Sequence, residues 1–92
     1  MAVYFKKDNF EEYYLNSSRY TKKNALVLAF WKEWFDLTNE SYHYMTVDYA
    51  ERCFKEYKKA IKVRLQGKGF TPAGIDGFYK AFSAWIKARK GK

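Results

Sequence analysis

The chain has 92 residues, a net charge of +8, and twenty aromatic side chains: eight Phe, nine Tyr and three Trp. This length predicts one domain spanning residues 1–92, and rings that each remove about 150–250 Å² from water can build its core without a disulfide or metal staple. Moderate charge, a single Pro and periodic apolar residues exclude a disordered chain, and the longest apolar run, Ala25 to Trp31, is far short of the roughly 18 residues that span a bilayer.

No apolar stretch follows Lys6 and Lys7, so no signal peptide is read. The lone Cys53 cannot close an internal disulfide, and a reducing, cytoplasmic setting with no membrane partner is expected. The charge is unevenly placed. Residues 1–46 carry six basic and six acidic side chains, whereas residues 47–92 carry twelve basic and four acidic ones. From Lys58 onward there are ten cations and a single acid, Asp76. Such asymmetry points to a face that meets an acidic partner, although a basic surface also serves solubility.

In chain order, Ala2 to Lys7 reads as a short strand or an ordered arm. Asp8 followed by Glu11 has capping-box spacing and opens a short helix through Phe10, Tyr13 and Tyr14 that ends near residues 16–18. Thr21 is the expected cap of a second helix running to about Leu37. Leu26, Phe30, Trp34 and Leu37 form one stripe on it, and Leu28, Trp31 and Phe35 form another. With Val27 they cover about 200° of the helix surface. That width means either a central helix packed on two sides or one with a stripe left for a partner. Thr38 to Met45 reads as a ring-rich loop. Thr46 caps a third helix with the core stripe Ala50, Phe54, Tyr57, Ile61 and Leu65, and Gly67 is its expected left-handed stop. Thr71 followed by Pro72 starts the last helix. It runs to about Arg89, with Ile75, Phe78, Tyr79, Phe82, Trp85 and Ile86 on one face. The expected fold is all-α: three main helices, a short N-terminal one, and a short extended arm.

Catalytic chemistry has little to work with. A nucleophile–base pair requires Cys53 with His43, and Cys53 falls at the edge of its helix's buried face, the place of a small hydrophobe. No His, Cys, Asp or Glu spacing suits a metal, and Gly67-Lys68-Gly69 is a turn without the features of a phosphate loop. No enzyme, metal or cofactor is expected.

The cations are better organised. Arg52, Lys55, Lys58, Lys59 and Lys62 fall within about 120° of arc on one flank of the third helix. Asp48 and Glu51 share that flank only in its first turn. Arg64 and Lys68 follow near the turn, and Lys87, Arg89, Lys90 and Lys92 near the C-terminus. A phosphate backbone attracts such an arrangement; a solvated helix flank also produces it. No helix-turn-helix spacing is present, since alignment on Gly67 puts Val63 where a small residue belongs. Gly74, Gly77, Ala81 and Ala88 make a small-residue stripe on the last helix, which admits a neighbouring helix or a partner's backbone. Tyr42 and Tyr44 are either base-stacking rings, protein-binding anchors, or a lid on the bundle. The expected function is nucleic-acid binding through phosphate electrostatics with aromatic help and little base readout. The alternative is a protein-interaction module or inhibitor whose basic, aromatic face docks on an acidic or nucleic-acid-binding surface of a larger protein.

Overall fold

Two β-strands and four helices follow one another in the computed structural model, which describes residues 4–17, 19–38 and 44–90. They are β1 (Tyr4–Lys6), α1 (Lys7–Ser17), α2 (Lys23–Thr38), β2 (Tyr44–Thr46), α3 (Val47–Gly67) and α4 (Pro72–Lys90). The fold is all-α, as the periodicities predict. Its extended backbone among the described residues is one three-residue antiparallel ladder, with Tyr4 opposite Thr46 and Lys6 opposite Tyr44. The ladder ties the N-terminal arm to the start of α3, so the last residues of the expected loop are a strand.

Local chemistry sets the helix ends. Thr46, in extended conformation, accepts a hydrogen bond on its side chain from the Tyr49 amide at 3.1 Å. Thr71 does the same for Gly74 at 3.1 Å, with Pro72 in the first helical position. Three expected boundaries shift. Helix α1 begins at Lys7, one residue before Asp8. Thr21 lies in a turn closed by the Lys23 amide on the Tyr20 carbonyl, and the Lys22 carbonyl accepts the first bond of α2, from Leu26. The left-handed stop after α3 is Gly69 (φ 96°), two residues beyond Gly67. The Gly69 amide donates to Gln66 and the Phe70 amide to Leu65, the paired bonds of a Schellman ending.

The buried side chains form one cluster in which α2 is central. Leu26, Val27, Phe30, Trp31 and Trp34 of α2 are buried against Phe10 and Tyr14 of α1, Phe54, Ile61 and Leu65 of α3, and Phe78, Phe82 and Trp85 of α4. The Phe30 ring stands 4.4 Å from Phe78 and 5.7 Å from Phe82, centroid to centroid. The second stripe of α2 is therefore mostly covered: Trp31 is buried, Phe35 is half-buried, and Leu28 alone is open, at 64% exposure. Ring packing has a polar consequence, because the buried indole N–H groups of Trp31 and Trp34 have no acceptor among the described residues.

The single buried carboxylate among the described residues, Glu33, clasps α2 to α3. Its two oxygens take Lys68 at 2.9 Å and Arg64 at 3.0 Å, and Arg64 also reaches Asp36 at 2.8 Å. Hydrogen bonds from Lys68 and then Arg64 hold the Glu33 carboxyl below its ordinary value, outweighing the opposing effect of burial.

Candidate nucleic-acid interface

Helix α3 meets α4 along a groove lined by lysines from both helices. Lys58 and Lys62 lie about 60° and 100° to one side of the α3 core stripe, and Arg64 about 60° to the other side. Neighbours on the two sides differ. The Arg64 side meets α2; the lysine side meets the flank of α4 that carries Asp76, Tyr79, Ser83, Lys87 and Lys90. A hollow of about 370 Å³ is lined by Glu51, Lys55, Lys58, Ser83, Lys87 and Lys90, with Phe54 and Ile86 as its floor. A second, of about 230 Å³, continues past Lys58 to Lys59, Lys62, Asp76 and Tyr79.

The groove's charges differ in how they are held. At one end Lys90 contacts Glu51 at 2.9 Å, with Lys55 more distant at 3.9 Å. At the other, Lys62 contacts Asp76 at 2.8 Å. Between these ends Lys58, Lys59 and Lys87 are exposed and have no ion pair among the described residues. Lys55, 72% exposed, is nearly as available. The rings here offer no stacking platform. Phe54 is buried, and the half-buried Tyr79 donates its hydroxyl hydrogen bond to the Lys58 carbonyl. Burial, and secondarily the Asp76 carboxylate, push the Tyr79 phenol well above its ordinary value, so it keeps the proton that it donates.

Six of the expected binding residues thus come together: Lys55, Lys58, Lys59, Lys62, Lys87 and Lys90. Arg52 is exposed on the same flank of α3 but does not line the groove. Arg64 and Lys68 are committed to the α2 clasp. Arg89 lies over the Trp85 ring, 3.9 Å from its centroid, in a cation–π contact. Tyr44 stands in β2, and Tyr42, His43 and Lys92 lie outside the described residues. Sequence reasoning named Lys87 and Lys90 but missed Asp76 and Ser83 beside them and the flank they form opposite α3, although the four share about 60° of arc at helical spacing.

One end of the small-residue stripe, at Gly74, receives a neighbour from within the chain. A Cβ on Gly74 would stand 2.6 Å from the Tyr20 ring, so the glycine makes room for the α1–α2 connection. Gly77 faces open space. It lines a hollow of about 550 Å³ with Tyr14, Tyr20, Ala81 and Ala84, where Lys80 is the sole cation. Cys53 is buried, and no group of His, Cys, Asp or Glu placed to hold a metal occurs among the described residues. None of the helices described is long and apolar enough to cross a membrane. The chain matches no protein-family model, no curated protein and no solved structure.

Proposed function

We propose that the protein binds nucleic acid by seating the phosphate backbone in the α3–α4 groove. The convergence of six lysines from two helices on one concave surface carries this reading. Cations unpaired within the fold and held close together repel one another, and a polyanion relieves that repulsion while releasing its own counterions. With the nearby rings buried or tethered, recognition in the groove is by charge and is indifferent to base identity. Docking on an acidic protein surface is the second reading, favoured by the carboxylates that Lys62 and Lys90 already hold.

The test is fluorescence anisotropy with labelled single- and double-stranded oligonucleotides of unrelated sequence, titrated between about 50 and 200 mM salt. Lys55, Lys58, Lys59 and Lys87 engaging four phosphates give a log–log slope of about 3–4. Replacing Lys58, Lys59 and Lys87 together by Gln lowers affinity by about two to three orders of magnitude at 0.1 M salt and flattens the slope by about 2–3. Absence of wild-type binding at low salt, or binding indifferent to the triple change, refutes the reading. A protein partner captured independently of nuclease treatment, and lost in the triple variant, establishes the second reading instead.

A further inference from the structure

The two carboxylates in the groove stand at its ends. Glu51 is in the second turn of α3, and Asp76 meets Lys62 eleven residues later, about 16 Å along the helix axis. Each holds a lysine ammonium at hydrogen-bonding distance, as a phosphate oxygen would. Of the lysines between them, Lys58, Lys59 and Lys87 hold no carboxylate among the described residues, and Lys55 stands 3.9 Å from Glu51.

We propose that Glu51 and Asp76 are internal competitors of the phosphate backbone, which occupy the terminal lysines of the groove and confine the nucleic acid to its middle. This deepens the nucleic-acid reading and rests on it. In the unbound protein the effective anion track is Lys55, Lys58, Lys59 and Lys87. Lys62 and Lys90 join only when a phosphate displaces the carboxylate already there. The Lys90 hydrogen bond holds the Glu51 carboxyl below its ordinary value. Both pairs sit at the surface, where water and salt weaken them, so displacement is partial and salt-dependent. The carboxylates thereby set both affinity and footprint. They keep a groove with six lysines from holding nucleic acid as tightly as its charge allows.

Their removal has a calculable effect. In counterion release each added phosphate contact contributes about 0.9 to the log–log slope, or about eightfold in affinity at 0.1 M salt. Glu51→Gln and Asp76→Asn each free one fully engaged lysine. Each is expected to raise affinity for a labelled oligonucleotide several-fold, up to about eightfold, and to steepen the slope by about 0.7–0.9. The double variant combines the two gains, because the two ends lie beyond a Debye length of each other at that salt. Glu12→Gln, an exposed position on α1, makes the same change in net charge outside the groove and serves as control. It is expected to shift affinity less than twofold and leave the slope unchanged. Thermal melts of all variants verify the fold.

If the amide variants bind as the wild type does, or if Glu12→Gln gives the same gain, the competition is refuted while nucleic-acid binding stands. If neither the wild type nor the double variant binds, the nucleic-acid reading falls, and the inference with it.

Discussion

Replacing Phe30 by Ala is the most direct test of the architecture. The ring is fully buried at the centre of the cluster, with centroids of Trp31, Trp34, Phe78 and Phe82 between 4.4 and 5.7 Å away. Its ring neighbours come from three helices, with Phe54 of α3 at 6.5 Å, so the site cannot collapse by the shift of a single side chain. Lost transfer free energy for a buried Phe is about 1.5–3 kcal/mol. Each 50 Å³ of unrelieved cavity adds about 1.2 kcal/mol. Together these give about 3–5 kcal/mol, against roughly 5–14 kcal/mol of total stability for a domain of this length. At about 4–8 °C per kcal/mol, the melting temperature falls by at least about 12 °C. Circular dichroism gives the melt. Urea unfolding followed by the fluorescence of Trp31, Trp34 and Trp85, all buried, gives the free energy independently. Leu28→Ala, on the same helix but 64% exposed, shifts the melt by less than about 4 °C. If the two variants melt together, α2 is not the central helix and the ring cluster does not hold the fold.

Two further outcomes are expected for the fold. Because the folded Glu33 carboxyl lies below its ordinary value of 4.5, the unfolded chain binds more protons in that range. The clasp's contribution is therefore fully present above about pH 4.5 and is lost as pH falls through the folded value. Urea midpoints measured from pH 7 to pH 2.5 fall on the acid side, and less steeply for Glu33→Gln; an unchanged profile in the variant refutes the clasp. Gly77→Ala stabilises by up to about 1 kcal/mol, because its Cβ meets nothing within 4 Å and helix propensity improves. Gly74→Ala loses that gain to the Tyr20 ring. Equal melting shifts for the two alanines contradict the packing of Tyr20.

How much the sequence reveals depends on the range of the interaction. Thr46 and the Thr71-Pro72 pair are legible because a cap acts within three residues, and the structure holds both bonds. The stop after α3 is less so. Gly67 and Gly69 are both candidates, and the choice falls to Gly69 because the Schellman bonds from Gly69 and Phe70 close there. At the start of α2, the Tyr20–Lys23 turn overrides the side-chain preference of Thr21. The lysine flank of α3 follows from helical geometry, but what lies beside it does not. Arg64 and Lys62 are two residues apart, yet one joins α2 and the other faces α4. Lateral packing assigned them, and no spacing within α3 encodes it.

The same lateral packing separates what holds the fold from what lies in the groove. Arg64 and Lys68 satisfy a buried carboxylate, so their charge is needed where it is. Lys58, Lys59 and Lys87 satisfy nothing within the described residues and cover no buried acid. A core of rings makes this division feasible. Phe30, Phe78 and Phe82 pack α2 on α4, so those helices are held by burial and not by pairing of charge across the bundle. Lys58, Lys59 and Lys87 pair no acid among the described residues, and their mutual repulsion at a net charge of +8 opposes folding. On the proposed reading, charge that pairs no acid within the described residues and is gathered on one concave surface has its energetic use in binding a polyanion.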